Sequence, residues 1–398
     1  MKRSLKWGVG LKIALLFFGS LTFHFSFAQA KTVSDYISVN GYIKDLSTVA
    51  FVNDVSTLTP YTLLHNRINL KIKPVNHLTI VMEERTRLLL SNEQVLVPGF
   101  GQEYTQDNGL VKMSFNWVNK APVLFNTFID RLYIDWTDSK WDIRIGRQRI
   151  NWGINTTWNP NDIFNTYNFL DFDYEERPGS DAVKVQYNFT SFSNLEAAFS
   201  PSRNIDSMIG ALKYAFNTHK YDIQFIAGNY YRDAVVGVGW AGNIKDAGFK
   251  GEVSYFQNWH DSHFQNIAVS ASTTVDYSFK NGLYMSVAFL YNNLAANSLY
   301  SAAQLQLENL SPKVLMPAKY NLIVTATKQF SPVMNGTVAL IYSPQINLFV
   351  IAPTLSYSLA TNWDIDFIVQ SYFANNADSK FAVLGNSFNF RVRWSFSN

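Results

Sequence analysis

Apolar and polar residues alternate in short runs along most of the chain. Ile68, Leu70 and Ile72 interleave with Arg67, Asn69, Lys71 and Lys73, and Val183, Val185, Tyr187 and Phe189 with Lys184, Gln186 and Asn188. The same beat sets Trp363, Ile365, Phe367 and Val369 against Asp364, Asp366 and Gln370, and Phe388, Phe390, Val392, Trp394 and Phe396 against Asn389, Arg391 and Arg393. A period of two sends successive side chains to opposite sides of an extended backbone, so each run predicts a strand with one apolar and one polar face.

Polar and Gly/Pro clusters divide the chain into predicted strands at 34–45, 61–74, 77–90, 123–136, 141–150, 180–189, 193–200, 208–217 and 221–231. A second set falls at 235–243, 248–258, 264–279, 283–292, 318–330, 335–343, 347–359, 363–373 and 387–396. The count is about 18, with 16 as the alternative. A soluble sandwich with its apolar faces turned inward would alternate in the same way. Connection lengths separate the two architectures. Every second link is short, including Lys73 to Asn76, Thr137 to Lys140, Asn217 to Lys220 and Ser331 to Met334, whereas 91–122, 151–179 and 293–317 are long. Short turns at one end and long loops at the other predict an all-β, transmembrane antiparallel barrel with periplasmic turns and extracellular loops. Aromatic residues flank the short turns, as in Trp136 and Trp141, Tyr187 and Phe192, and Tyr357 and Trp363. Such rings favour a membrane interface. Pro353 lies inside a predicted strand and cannot donate to its ladder, which points to a bulge or a different boundary there.

The N-terminus changes the charge balance. Lys2, Arg3, Lys6 and Lys12 precede the apolar run Ile13 to Phe18, and Phe27-Ala28-Gln29-Ala30 ends the segment. This order reads as a secretory signal peptide cleaved after Ala30, leaving residues 31–398 as one barrel with no linker. Cleavage would remove four of the 33 basic residues and none of the 30 acidic ones, so the formal charge of +3 largely goes with it. Nothing then implies a nucleic-acid partner. The absence of cysteine excludes disulfides and thiolate metal sites. The expected surroundings are outer-membrane lipid and lipopolysaccharide, with barrel-assembly machinery during biogenesis, a small polar solute inside, and a trimer as one form of self-association.

If the apolar face meets lipid, the polar face lines a lumen. That face carries Arg67, Lys71, Arg85, Arg87, Arg131 and Arg144 on the second to fifth predicted strands, and Arg391 and Arg393 on the last. Barrel closure brings the last strand beside the first, so these cations share one wall. Glu196, Asp222, Glu252, Asp276, Asp364 and Asp366 fall across from it or beside it, while Glu83, Asp135 and Asp142 dilute the segregation. Opposed charged walls suit small polar solutes; a solvated charged lining without preference is the competing reading. About 16 to 18 strands leave an aqueous bore.

The segment Gly146-Arg147-Gln148-Arg149-Ile150-Asn151-Trp152-Gly153 runs on to Trp158-Asn159-Pro160-Asn161-Asp162-Ile163-Phe164-Asn165. It resembles a stretch of bacterial porin-like barrels, including the alginate-export-type proteins, in which a G-R-Q-R-like strand end leads into an N-P-x-D-x-F loop. The resemblance covers roughly residues 145 to 187. It implies an outer-membrane channel for polar or anionic solutes, saccharides among them. The phase of Trp141, Ile143 and Ile145 would aim Arg147 and Arg149 at lipid, so either a bulge at Gly146 turns them inward or they sit above the bilayer. The following loop carries Asp162, Asp171, Asp173, Glu175 and Glu176. Folded inward it would narrow the bore beside the arginines; folded outward it would bind cations between lipopolysaccharides.

Three functions follow: passive passage of small polar or anionic solutes, dedicated export of a polysaccharide or carboxylate, or a non-conducting structural or surface-binding barrel. Catalysis has little behind it. His260-Asp261-Ser262-His263 offers H-x-S and D-x-H fragments of outer-membrane hydrolases, and Asp364-x-Asp366 a second acid pair, without one coherent constellation. Two imidazoles make a poor metal site. No phosphate-cradling loop is present, and no cofactor is expected.

Overall fold

In a computed structural model, the described residues are 36–52, 58–91, 105, 107, 109–120, 122–168, 179–259, 267–297, 310–375 and 380–398. They form one antiparallel sheet that closes on itself. Its strands are β1 (Ile37–Phe51), β2 (Thr59–Val75), β3 (Leu78–Ser91), β4 (Ser114–Lys120), β5 (Val123–Thr137), β6 (Trp141–Gln148), β7 (Ser180–Thr190), β8 (Ser193–Ser200), β9 (Ile209–Thr218) and β10 (Tyr221–Tyr230). There follow β11 (Asp233–Ile244), β12 (Ala247–Asn258), β13 (Ile267–Ser278), β14 (Leu283–Asn292), β15 (Tyr320–Ser331), β16 (Met334–Ser343), β17 (Leu348–Ala360), β18 (Trp363–Asn375) and β19 (Phe381–Ser397).

Eighteen of these make the wall. Each pairs with its sequence neighbours, and β19 returns to β1 along a register from Asn40↔Ser397 to Phe51↔Asn386. The remaining strand, β4, lies where the sequence predicts only a loop. It forms a hairpin with the upper half of β5, from Ser114↔Phe128 to Lys120↔Val123, while β6 pairs with the lower half, from Leu132↔Arg147 to Thr137↔Asp142. The two share one edge of β5 end to end. β1 is longer than predicted and runs to Phe51, and β19 begins six residues early at Phe381.

The short turns gather at one end. Between β9 and β10, His219 and Lys220 both take positive φ, 49° and 66°, as a two-residue hairpin turn of matching twist requires. Aromatic rings meet around this end: Trp141 with Tyr187 at 4.7 Å, Tyr187 with Phe189 at 5.0 Å and Tyr214 with Phe216 at 5.4 Å. Pro353 stays in register. The ladder from β17 to β18 skips Ala352 and Pro353 and resumes unshifted, Ile351↔Ser371 and Thr354↔Ile368, with no bulge.

Alternation sets the two faces. Ile134, Ile145, Val183, Phe225, Val275, Phe289 and Phe367 are exposed on the outside, while their polar sequence neighbours turn in. The inside is not uniform. Four leucines paired in series, Leu46, Leu63, Leu89 and Leu124, form one apolar row across β1, β2, β3 and β5. Two larger apolar clusters occupy the interior along β7–β13 and β14–β18.

Candidate functional site

A cationic wall and an inserted loop face the interior from different strands. The wall is built in rows by cross-strand register: Lys44, His65 and Arg87 are paired in series, as are Tyr42, Arg67 and Arg85 in the next row. On the other side of β1, Lys44 pairs with Arg393 and Leu46 with Arg391. Lys44, His65, Arg67, Arg85, Arg87 and Arg131 are all buried within the protein.

The carboxylate among these cations comes from a bulge. The register between β3 and β5 shifts at Glu83/Glu84, where β5 inserts Asp130 between Ile129 and Arg131. One extra residue changes the phase of the strand, so Asp130 and Arg131 turn inward together. Asp130 accepts from Arg67 Nη1 at 2.6 Å and from Arg85 Nη2 at 2.9 Å, and Glu83 also pairs with Arg67. Among the described residues, five formal cations, Lys44, Arg67, Arg85, Arg87 and Arg131, share this region with two strand acids, Asp130 and Glu83.

Residues 149–168 form the opposing part. They leave β6 and seat on the inner side of β8–β13. Trp152 Nε1 donates to Glu196, and Gln224 Nε2 donates to the Trp152 carbonyl at 2.6 Å. Glu252 is fully buried and accepts three backbone N–H groups: Ile154 and Asn155, the latter at 2.7 Å, on Oε1, and Asn161 at 2.8 Å on Oε2. Ser254 donates to Asn161 Oδ1 at 2.7 Å, and Asn161 Nδ2 donates to the Val238 carbonyl at 3.0 Å. Asn155 donates to Ser272 and Ser272 to the Trp158 carbonyl, each at 2.8 Å. The wall leaves room for this seat at Gly237, where a Cβ would overlap Asn161 Oδ1. Trp152 meets Phe164 edge to face at 5.0 Å, and both join the apolar cluster of Ile150, Ile163, Ile226 and Phe256.

A second segment, 310–318, also folds in. Leu315 and Met316 pack with Trp158, Leu290 and Ile323, and Leu315 N donates to Asn292 Oδ1 at 3.2 Å. Lys313 pairs with Asp233 and lies over the Tyr230 and Phe256 rings. Burial pushes its ammonium below the usual lysine range.

Nearer the short turns the lining is balanced. Asp364 pairs with Arg393 at 3.0 Å, Asp366 with Arg391 at 2.9 Å, Asp135 with Arg144 at 2.9 Å and Asp276 with Lys250 at 3.0 Å. Asp364 and Asp366 therefore lie beside the last two arginines on the adjacent strand, and each acid is engaged by a cation.

The remaining predicted residues fall as follows. Lys71 is exposed toward the short-turn end, away from the two cationic rows. Arg149 stands just beyond β6, at the root of the inserted loop. Asp162 is fully buried in that loop. Asp171, Asp173, Glu175 and Glu176, like His260 to His263, lie outside the described residues. Arg147 belongs to the wall itself: it fills the place above the end of β6, bonding Asp181 at 2.7 Å, Asp107 at 3.0 Å and the Val111 carbonyl at 2.7 Å. Gly146 makes this turn with φ +122° and an unbroken register, so left-handed-region backbone replaces the predicted bulge. Lys44, His65 and Asp130 are not among the predicted lining residues. Lys44 and His65 both lie inside predicted strands, but the ladder Lys44–His65–Arg87 becomes visible only in the register of β1, β2 and β3.

No protein-family model and no curated protein matches the sequence. Solved structures do match the fold. OccAB4 of Acinetobacter baumannii superposes with a TM-score of 0.56 at 8% identity, covering 91% of this chain and 98% of that one. What the match shows is the fold, a closed antiparallel β-barrel. OccK5 (OpdH) of Pseudomonas aeruginosa gives 0.58 at 8% identity over 92% and 99% of the two chains, and OpdK of the same organism, solved with vanillate, 0.57 at 8% over 91% and 99%. The chain shares with these the closed barrel architecture along nearly the whole length of each chain, at an identity that fixes fold alone.

Proposed function

We propose that the porin-like barrel is a bacterial outer-membrane channel for passive passage of small polar solutes, with a preference for anions. One observation supports this above the others: the two cationic rows of β1, β2, β3 and β5 share the interior with a loop fastened against the far strands. Fixed positive charge beside a narrowed passage raises the local concentration of anions and lowers that of cations. The vanillate bound in the OpdK structure is a carboxylate, and an arginine row offers paired N–H donors to such a group.

The test is conductance of the refolded protein in planar bilayers. Discrete current steps with a reversal potential on the anion side under a salt gradient are the expected result. An intact barrel that carries no current would overturn the reading, and current blocked by a polysaccharide at low concentration would replace it with dedicated export.

A further inference from the structure

The outer wall has a hollow near its short-turn end, between β14 and β18. Cross-strand register sets Leu283, Lys328, Gly336, Leu355 and Phe367 in one row over five adjacent strands. One row further from the turns, Ala326 pairs with Val338 and Val338 with Pro353. These positions look outward: Val338, Leu355 and Phe367 are exposed, while Ile323 and Ile341, of opposite phase on β15 and β16, are buried in the interior. Ala326 and Gly336 are small, so the floor between their bulky neighbours is low. The Phe330 ring closes the lower end by lying against Gly336, where a Cβ would stand 2.8 Å from its Cε2. What remains open is a groove of about 480 Å³, within the roughly 300–1,000 Å³ of ordinary ligand sites.

This apolar groove contains one charge. Lys328 lines it, three residues before the turn from Ser331 to Met334 and one row above Tyr357, which pairs with Met334. Among the described residues, Lys328 has no acidic partner. The turns at the foot of the groove add Lys280 and no acid, since 278–283, 331–334 and 360–363 contain neither Asp nor Glu. Asp276 and Asp364, the acids nearest to these turns, pair with Lys250 and Arg393 instead. A lysine on a lipid-facing wall lays its stem along apolar surface and carries its ammonium to the interface, where lipid phosphate is the available anion.

We infer that the groove binds one anionic phospholipid, its acyl chain along Ala326 and Gly336 and its headgroup phosphate on Lys328. Short turns face the periplasm, so the lipid comes from the inner leaflet and not from the lipopolysaccharide beside the long loops. A second copy of this chain fits less well. A two-fold contact through this face would set Lys328 against Lys328 with no acid between them. The inference rests on the barrel spanning a membrane and is independent of what passes through it.

The full chain refolded into phosphatidylcholine vesicles with a minor share of phosphatidylglycerol provides the test. Gentle extraction and native mass spectrometry count the lipids that stay on the protein. One retained phosphatidylglycerol per chain is expected, enriched about tenfold over the vesicle composition, the size of one charge-assisted contact. Lys328→Gln should abolish the enrichment. Ala326→Leu fills the groove without altering charge and should abolish retention, whereas Lys245→Gln, in the turn between β11 and β12, should change neither. Equal retention of the two lipids, or enrichment that survives Lys328→Gln and Ala326→Leu, overturns the site. Displacement of the lipid by millimolar inorganic phosphate would overturn it in favour of a bare anion site, and a lipid-free mass of two chains in favour of a subunit contact. A chain that fails to enter vesicles removes the membrane reading and the site together; an inserted, conducting barrel without the enrichment removes the site alone.

Discussion

Asp130 joins two arginines that sit on different strands, accepting from Arg67 at 2.6 Å while its other oxygen takes Arg85 at 2.9 Å. The bulge that turns it inward is thus what allows two guanidinium groups to stand side by side in a buried row. Replacing Asp130 by Asn weakens an acceptor shared by two guanidinium groups that keep other partners, Glu83 among them, and should lower unfolding stability by about 2 kcal/mol, the order of a lost hydrogen bond to a charged group. Urea unfolding in detergent micelles measures this. Unchanged stability would mean that water already screens the pair.

Arg87 stands in the row of Lys44 and His65. Arg87→Gln should reduce the anion-to-cation permeability ratio by about threefold, roughly 0.7 kcal/mol on a scale of 1.4 per factor of ten. Reversal potentials under a salt gradient read the change directly. A ratio unaffected by this substitution would remove the cationic rows from the conduction path.

Glu252 holds three backbone N–H groups of the inserted loop. Each buried donor left without an acceptor costs about 1–3 kcal/mol, so Glu252→Ala should release the loop from its seat. Single-channel records are expected to show larger and noisier open currents. Quiet openings of unchanged size would show that the apolar contacts of Trp152 and Phe164 suffice.

Gly237→Ala tests the same seat without altering charge. The added methyl would overlap Asn161 Oδ1 and displace it. The channel phenotype should match that of Glu252→Ala in direction and be smaller in size. Wild-type currents would indicate that the seat yields locally around Asn161.

Gly146→Ala addresses the wall. Its φ of +122° disfavours any side chain, and an added methyl carbon would collide with the Leu132 carbonyl of the neighbouring strand. Backbone strain alone is worth roughly 1–3 kcal/mol, and the clash adds to it. Refolding yield into lipid, followed by heat-modifiable migration on gels, should fall sharply. A normal yield would show that β5 and β6 can separate there at little cost.

Strand positions are legible because alternation is a local signal, and the short turns announce themselves by length. The barrel wall follows from those two features. Asp130 is not legible: a one-residue bulge reverses the faces of β5 above it, and nothing in Phe128-Ile129-Asp130-Arg131 marks where the reversal falls. The sequence pattern ends β1 at Lys44-Asp45, because Asp45 on the outer face and the buried Tyr42 and Leu46 on the inner one break the expected alternation. Lys44 lies inside that predicted strand, and what the pattern does not give is the register that sets it beside His65 and Arg87. The inward course of residues 149–168 is one of two readings of their charge, and their partners Glu252, Ser254 and Ser272 lie about a hundred positions away. Alternation places those residues inside but does not say what they hold.

The same distance along the chain imposes an order of assembly. Residues 149–168 come to rest on β12 and β13, strands far downstream of them, and the β1–β19 seam joins the two strands of the wall most distant along the chain. Contacts so remote in sequence form late, after the cost of closing a long loop of chain has been met. The arginine rows join β2 and β3, neighbours along the chain, whereas the seat of residues 149–168 needs strands about a hundred positions on, so an intermediate halted before β12 would carry the rows with that loop still undocked.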